Sequence, residues 1–502
     1  MLLEAAKGYR VMLSKLGKHW LFLMPLAVFA GYYSLQNIVG YFRYPSEIIN
    51  RMVLALVICA ASYIISYKYF PIGWADRISV FSVRESTQKY IAHAITVLFI
   101  MVIVISCCGA EVPLFEAFKG ASAYELAEYR NSFMRGQSGS GQLINYLYAI
   151  FLQALMPFAV AYFFCTENKF RYLAISIFIF GASLSLSKGI FLCVAAPMIA
   201  VYLMRRRWFS AAGVFGGFFL SAALMYFIAS GAVGVFLERV NFSAYGPVSS
   251  EPVEGLQASK LSADQIRNLS PQQIQQLTPE QVRSLSPAQL KQFKPSQVSA
   301  LSKEQKSLLS SQQIEEITPK AIALQSDVPD HYNIFTQKNQ TLLILNRIIW
   351  IPYVTALDWF RYQDLHMGGK YLLGKSIRPI AYLTNSERVY LEKDVAELQW
   401  GGPSGATSNA VFFADAWLNW GALGVIVYSM LLALTIKLII TSGNSALVAA
   451  SGFPVWVACF SALPPVYLSA GLGFLLILAL IFRGGYSPIK NGGGNSSSTA
   501  SI

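Results

Sequence analysis

Two arginines in the segment 109–142 have the residue type and the spacing of an anion-binding loop. Arg130 and Arg135 lie beside Gly136 and Gly141, and ten residues separate Arg130 from Gly141. The planar guanidinium fork of an arginine binds phosphate oxygens in pairs, and a glycine lets the backbone approach a ligand closely. These residues therefore predict a phosphate-binding loop, although a solvated glycine-rich loop would show the same spacing.

A lysine and an aspartate lie within strongly apolar sequence, where an ionisable group needs a partner. Lys188 occupies the turn SLSKGIF between two apolar runs, and Asp415 lies in the segment 401–424 that leads into another. We expect Lys188 to contact a ligand or to extend its ammonium group to the membrane surface. We expect Asp415 to act chemically or to neutralise one of the basic residues.

The segment 342–360 is apolar but is interrupted by charged residues, among them Arg347. If it crossed the membrane, the charge bias of the loops that follow would be inverted. We therefore expect a re-entrant or interfacial helix that lines a cavity, with Arg347 facing the cavity. The residues just after it include Asp364 and His366, so a general base would be one of these two or Asp415.

The elements that must position these residues are membrane helices. Of the 502 residues, 55% are hydrophobic and 13% are charged, and the mean hydropathy is +0.46. Soluble domains carry about 25% charged residues, and about 20 apolar residues span a bilayer as a helix. The sequence therefore predicts an all-α polytopic membrane protein and excludes a soluble enzyme. The ten predicted spans are 19–41, 52–67, 91–108, 143–165, 171–186, 189–204, 209–230, 409–436, 446–462 and 466–482.

The net charge of +13 is concentrated at one end of the predicted spans. Segments assigned to the cytoplasm, counted with Arg171 at the start of the fifth span, carry 16 lysines and arginines against 4 acids, whereas the long segment 231–408 carries 17 against 16. This bias follows the positive-inside rule and explains the basic charge without a nucleic-acid partner. We expect both termini in the cytoplasm, a seven-span block at 1–230, an external segment at 231–408, a three-span block at 409–482 and a flexible tail at 483–502.

Residues 261–324 form eight copies of an octapeptide whose consensus is apolar, Ser or Thr, Pro, any, Gln, apolar, any, any. The hydroxyl residue suits a helix N-cap, proline the first helical position and glutamine a capping box, and the flanking apolar pair suits a hydrophobic staple. Helices this short are marginal alone, so we expect the copies to stack as a small solenoid or to stay partly disordered. We interpret the array as a spacer or interaction module. In the third copy the fixed residues are Leu277, Thr278, Pro279, Gln281 and Val282.

The sequence predicts no disulfide framework, no metal site and no cofactor. All six cysteines lie in or at the ends of the apolar runs, and the external segment 231–408 has none. Its two histidines lack the spacing of metal ligands. We therefore interpret the cysteines as small apolar packing residues.

Together these features resemble Wzy-type O-antigen or oligosaccharide repeat-unit polymerases. The resemblance rests on many spans with one large late external segment, the loop YRNSFMRG, the turn SLSKG, and an Asn-Arg-Ile stretch followed by GATSNAVFFADAWLNWGALG. A Gly- and Ser-rich entry, a buried acid and a Phe- or Trp-Gly-x-x-Gly sequence recur in such polymerases. The octapeptide array is unlike the family.

The resemblance implies a fold similar to GT-C type lipid-linked glycan transferases, acting at the periplasmic face of the bacterial inner membrane. Undecaprenyl-pyrophosphate-linked glycans would be both donor and acceptor, with a chain-length regulator as a further partner. Fixed cations would stabilise the pyrophosphate leaving group without a metal, and an acid or a histidine would deprotonate the acceptor hydroxyl. The implied catalytic residues are Asp415, His366 and Arg347. The implied pyrophosphate-binding residues are Arg130, Arg135, Lys188, Arg347 and Arg361, with Gly136 and Gly141 as loop glycines.

Two other functions stay open from the sequence. An O-antigen ligase shares the architecture and the lipid donor but transfers the glycan to lipid A-core, and the external His366 is compatible with it. A polysaccharide transporter or flippase would show inverted repeats and polar residues through several spans. The sequence has no repeat between its halves, and its ionisable groups cluster at one face.

Overall fold

The computed structural model is helical, without strands, in the part of the chain that it describes. That part comprises residues 19–78, 85–108, 111–121, 123–135, 140–230, 277–285, 289, 305, 309, 346–400, 408 and 411–482. The prediction of an all-α chain is confirmed. The N-terminal helices are α1 His19–Gly40, α2 Ser46–Tyr69, α3 Gly73–Ile78, α4 Glu85–Cys107, α5 Pro113–Phe118, α6 Ala123–Arg135, α7 Gly141–Cys165, α8 Arg171–Ser183, α9 Phe191–Met204 and α10 Trp208–Ala229. The later helices are α11 Pro279–Arg283, α12 Ile351–Met367, α13 Arg378–Leu383, α14 Leu391–Trp400, α15 Phe412–Thr441, α16 Ser445–Ala458, α17 Leu463–Leu468 and α18 Leu472–Ile481.

Six of the described helices are long and apolar enough to cross a membrane, namely α1, α2, α4, α7, α10 and α15. Four shorter apolar helices, α8, α9, α16 and α18, occupy the remaining predicted runs. Large apolar side chains lie exposed on these helices, as at Val57, Phe209 and Leu423. Exposed apolar belts around a buried core need an apolar solvent. The helices therefore indicate a multi-pass membrane protein.

The core is formed where α2 packs along α15 and where α9 and α16 pack against α7. Polar side chains fix the ends and crossings of these helices. The Asn444 side chain caps α16 by accepting from the backbone N–H groups of Ala446 and Leu447, at 3.0 and 3.2 Å. The Tyr33 hydroxyl of α1 donates to the carbonyl oxygen of Cys459, just after α16. The first and last thirds of the chain therefore share one core.

The segment predicted as a helix near 342–360 is helical from Asn346, where its described residues begin. A π-helical turn at Asn346–Trp350 leads directly into α12, which continues to Met367. The helix ends there because Gly368 adopts the left-handed conformation, with φ of 54°, and supplies the C-cap. The side chains of Trp350, Tyr353 and Trp359 are fully buried, so this helix packs inside the protein.

The run predicted as a single span at 409–436 contains a chain reversal. Trp420 and Gly421 have non-helical backbone angles, which divide α15 into a short first arm, Phe412–Asn419, and a long second arm, 422–441. The first arm folds back on the second. It brings the carbonyl oxygen of Ala416 so close to Gly424 that a Cβ atom at Gly424 would collide with it. The apolar character of both arms hides the reversal in the sequence.

The third octapeptide copy has the predicted helix start. The Thr278 hydroxyl accepts from the Gln281 backbone N–H, and the Gln281 side chain accepts from the Thr278 backbone N–H at 2.7 Å, with Pro279 at the first helical position. Leu277 and Val282 are buried beside the cap. The predicted cap is thus confirmed for this copy.

Copies of the array also contact one another. The Gln305 side-chain amide, in the sixth copy, donates to the carbonyl oxygen of Leu277 in the third, at 2.6 Å. Leu309, at the start of the seventh copy, is also buried. This contact between copies is of the kind expected for stacking, which is one of the two alternatives that the sequence leaves open. Most of the array lies outside the described residues.

Candidate functional site

A buried polar network joins the first arm of α15 to the loop that follows α12. Asp415, in the first arm, is 4% exposed. The Asn419 side-chain amide, one turn later, donates to the Asp415 carboxylate at 3.0 Å and to the Asp415 carbonyl at 2.9 Å. The spacing of four residues places the two side chains on one face of the helix. Asn419 therefore orients the Asp415 carboxyl group.

Asn419 also holds the loop after α12 against this arm. Its side-chain oxygen accepts from the Gly374 backbone N–H at 3.1 Å and from the Ser376 hydroxyl at 3.0 Å. The backbone N–H groups of Leu372 and Leu373 donate to the carbonyls of Leu418 and Asn419, both at 2.9 Å. The carbonyls at the end of the first arm thus find partners in the loop, as helix ends require.

Two glycines of the sequence Trp-Gly-Ala-Leu-Gly make the chain reversal possible. Gly421 has φ of 62° and ψ of −145°, a region open almost only to glycine, and a Cβ atom there would also strike the Tyr371 ring. Gly424 has no Cβ to obstruct the Ala416 carbonyl. One glycine therefore allows the turn, and the other allows the two arms to approach closely.

A second buried acid lies on α12. Asp358 is 1% exposed, and the Gln399 amide of α14 donates to its carboxylate at 3.2 Å. The next residue, Trp359, donates from its indole nitrogen to the Ser408 hydroxyl at 3.3 Å. These contacts attach α12 to α14 and to the chain just before α15. The two buried acids therefore belong to one packed assembly.

Arg361 and Asp358 both act on the phenol of Tyr44, in the connection between α1 and α2. Burial raises the pKa of Tyr44 above its ordinary value, the Asp358 charge raises it further, and the charges of Arg43 and Arg361 lower it. Arg361 is half-buried. Arg361, a cation predicted from the sequence, therefore acts on the same phenol as the buried acid Asp358.

The exposed edge of α12 carries a histidine beside a phenol and a carboxyl group. The His366 ring stacks on the Tyr362 ring, with centroids 4.9 Å apart, and the Tyr362 hydroxyl donates to Asp394 of α14 at 3.4 Å. Burial raises the pKa of Tyr362 to about 12, and burial together with the Glu397 charge raises the pKa of Asp394. His366 is therefore an exposed base candidate held by aromatic stacking.

The other predicted base, Asp364, is engaged in an ion pair. Its carboxylate lies 2.6 Å from the Arg51 guanidinium, so the pair ties α12 to α2. Both side chains are partly exposed. This contact gives Asp364 a positioning role for α12 and leaves His366 and Asp415 as the base candidates.

Two of the remaining predicted cations, Arg130 and Lys188, belong to elements that pack together. Arg130 is half-buried on α6, and α6 shares a small apolar cluster through Leu126 with Leu186 and Met225. Leu186 belongs to the turn that carries Lys188, so the structure brings the Arg130 helix and the Lys188 turn together.

Several predicted side chains lie outside the described residues. Arg135 ends α6 and Lys188 begins a 3₁₀ turn, but only their backbones are described, and Gly136 is not described at all. Gly141 lies at the start of α7. Arg347 has its backbone in the π turn before α12, a conformation common at functional sites. Its side chain is not described.

Sequence reasoning missed most of the partners in the network. Asn419 could have been found, because it stands one helical turn from Asp415. Gln399, Ser376 and Tyr362 gave no signal, since each acts through a contact that only the fold creates.

Within the described part of the chain, no three His, Cys, Asp or Glu side chains cluster as a metal site would require. The sequence matches no family profile and no curated protein, and the fold matches no solved structure.

Proposed function

We propose that this chain is a membrane glycosyltransferase that polymerises undecaprenyl-pyrophosphate-linked oligosaccharide repeat units at the periplasmic face of the bacterial inner membrane. The resemblance to Wzy-type polymerases supplies the reaction. The assembly of α12, α14 and the first arm of α15 supplies candidate residues, because it holds Asp415, Arg361 and His366 on elements that pack together. A chain-length regulator is part of the same proposal.

The observation that carries the proposal is the environment of Asp415. Its one described hydrogen-bond partner is the neutral amide of Asn419, and none of the ion pairs among the described residues involves it. A carboxylate that served as a structural charge partner would have an arginine or lysine against it. A buried carboxyl group held by an amide instead suits proton transfer.

The proposed reaction exchanges one bond at the anomeric carbon of the donor glycan. The bond between that carbon and the pyrophosphate oxygen breaks, and the lipid pyrophosphate leaves with the electron pair. A bond forms between the carbon and an acceptor hydroxyl oxygen, whose proton passes to Asp415 or His366. Arg361 and Arg347 stabilise the departing pyrophosphate from α12 and from the turn before it.

The proposal includes ten membrane crossings, with both termini in the cytoplasm and 231–408 outside. The six long helices and four shorter apolar helices match this number, and the charge bias sets the orientation. Reporter fusions should show periplasmic activity at about residue 300 and cytoplasmic activity after Arg483. A cytoplasmic signal at residue 300 would contradict the orientation.

The test of the reaction is a glycan ladder made by the purified protein from lipid-linked repeat units. Replacing Asp415 by Asn keeps the size and polarity of the side chain, and it should lower the polymerisation rate by about 100-fold or more if Asp415 is the base. Asp364→Asn is the matched control, because it removes an acid from the same assembly that is already paired with Arg51. It should retain most of the ladder.

Thermal unfolding of both variants separates catalysis from folding. A normal ladder from Asp415→Asn at equal folded protein would place the base elsewhere, with His366→Gln as the next variant. Lipid A-core added as acceptor distinguishes the two transferases, because transfer to it without a ladder would identify a ligase and overturn the polymerase proposal.

A further inference from the structure

A polar cavity lies at the end of the helix bundle opposite to the external segment proposed above. It has a volume of about 360 Å³ and opens between the first turns of α4 and the C-terminal end of α7. Among the described residues, its lining contains one cation, three hydroxyl groups and one amide, with no carboxylate. These residues are Ser86, Lys89, Tyr162, Thr166 and Asn168.

The acid nearest to this lining in the α7–α8 connection is already neutralised. The Glu167 carboxylate lies 3.0 Å from the Arg205 guanidinium and 4.0 Å from that of Arg207. Arg205 also donates to the Cys165 carbonyl at 2.6 Å, which fixes it against the end of α7. Lys169 and Arg171 follow Asn168 in the chain. Their cations lie over the rings of Phe170 and Tyr172, so among the described residues Lys89 is the cation that lines the cavity. A basic cavity with hydroxyl and amide donors favours an anionic oxygen ligand.

The surface beside the cavity is apolar. On α4, Tyr90 is 71% and Val97 is 57% exposed, and on the neighbouring α8, Leu173 is 56% exposed. These side chains continue from the level of Lys89 along the bundle. A ligand with an anionic head in the cavity could therefore lay a hydrocarbon chain along α4 and α8.

We propose that this cavity binds the phosphate headgroup of an anionic phospholipid, with the acyl chains along the exposed faces of α4 and α8. The Lys89 ammonium group pairs with the phosphate, and the side chains of Ser86, Thr166 and Asn168 supply hydrogen bonds. Basic pockets between membrane helices at the cytoplasmic side bind such headgroups. The site is independent of the proposed glycan chemistry.

The test measures lipid binding to the full chain in neutral detergent by native mass spectrometry. Phosphatidylglycerol is titrated against phosphatidylcholine for the wild type and for Lys89→Gln. Lys68→Gln is the matched control, because Lys68 lies at the basic end of α2, outside the cavity lining, over the Tyr69 ring. We expect the wild type to prefer phosphatidylglycerol and Lys89→Gln to bind it about fivefold more weakly. Lys68→Gln should bind it like the wild type.

Equal weakening in the two lysine variants would show general surface attraction and would overturn the proposal. Displacement of phosphatidylglycerol by inorganic phosphate alone, at millimolar concentration, would also overturn it, because the cavity would then recognise free phosphate without the lipid. Binding of phosphatidylcholine as tightly as phosphatidylglycerol would remove the role assigned to Lys89.

Discussion

Two regions of this molecule depend on polar side chains, and they differ in how far apart their partners lie in the chain. In the third octapeptide, Thr278 and Gln281 cap a helix within three residues of each other. In the network around Asp415, Asn419 meets Ser376 across 43 residues. Local spacing therefore predicts the first region, whereas the second exists only once the helices have packed.

The glutamine of the octapeptide connects these two kinds of contact. Glutamic acid would serve in a capping box as well as glutamine does. Nevertheless, seven of the eight copies have glutamine at the fifth position, and none has glutamic acid there. The contact from Gln305 to the Leu277 carbonyl gives a reason, because an amide can donate this hydrogen bond and a carboxylate cannot.

The substitution with the largest expected effect on stability disrupts the chain reversal in α15. Gly421→Ala introduces a Cβ atom at φ of 62° and against the Tyr371 ring. Backbone strain and overpacking together should cost about 4 kcal/mol. We expect a strong loss of folded protein, measured as thermal unfolding in detergent. Gly213→Ala in α10 is the control, because nothing lies within 4 Å of its Cβ position. An unchanged melting temperature for Gly421→Ala would refute the reversal.

A substitution at the centre of the network around Asp415 should have an intermediate effect on stability. Asn419→Leu keeps a buried side chain of similar volume but removes the partners of the Asp415 carboxylate, the Gly374 N–H and the Ser376 hydroxyl. Buried groups left without partners should lower the unfolding free energy by about 3 kcal/mol. Asn50→Ala removes the exposed hydrogen bond from Tyr41 and should stay within about 0.5 kcal/mol of wild type. Equal melting temperatures for these two variants would mean that the network does not stabilise the fold.

The helices could be predicted from the sequence because each apolar run of sufficient length has few other ways to satisfy its backbone in a bilayer. The interruptions within these helices could not be predicted from the sequence. The break at Gly421 lies between two apolar arms, and neither composition nor period changes there. The same limit applies to the site. Asp415 stood out as an acid in apolar sequence, but Asp358 gained its partner Gln399 only through the packing of α12 on α14.

The smallest expected effect is confined to the octapeptide array and tests whether its copies stack through glutamine. Gln305→Glu keeps the length of the side chain but replaces the donor to the Leu277 carbonyl with an acceptor. The loss should destabilise the contact by about 1–2 kcal/mol, since a buried carbonyl then lacks its partner. Hydrogen exchange of the backbone amides in 277–285 should accelerate about tenfold in the full chain, because local opening controls their exchange.

The melting temperature of the membrane helices should not change, since the contact joins two copies of the array. Arg283→Ala removes an exposed side chain of the same region and should leave the exchange unchanged. Equal exchange in the wild type and Gln305→Glu would show that the cap of each copy is sufficient, and that the glutamine serves local structure alone.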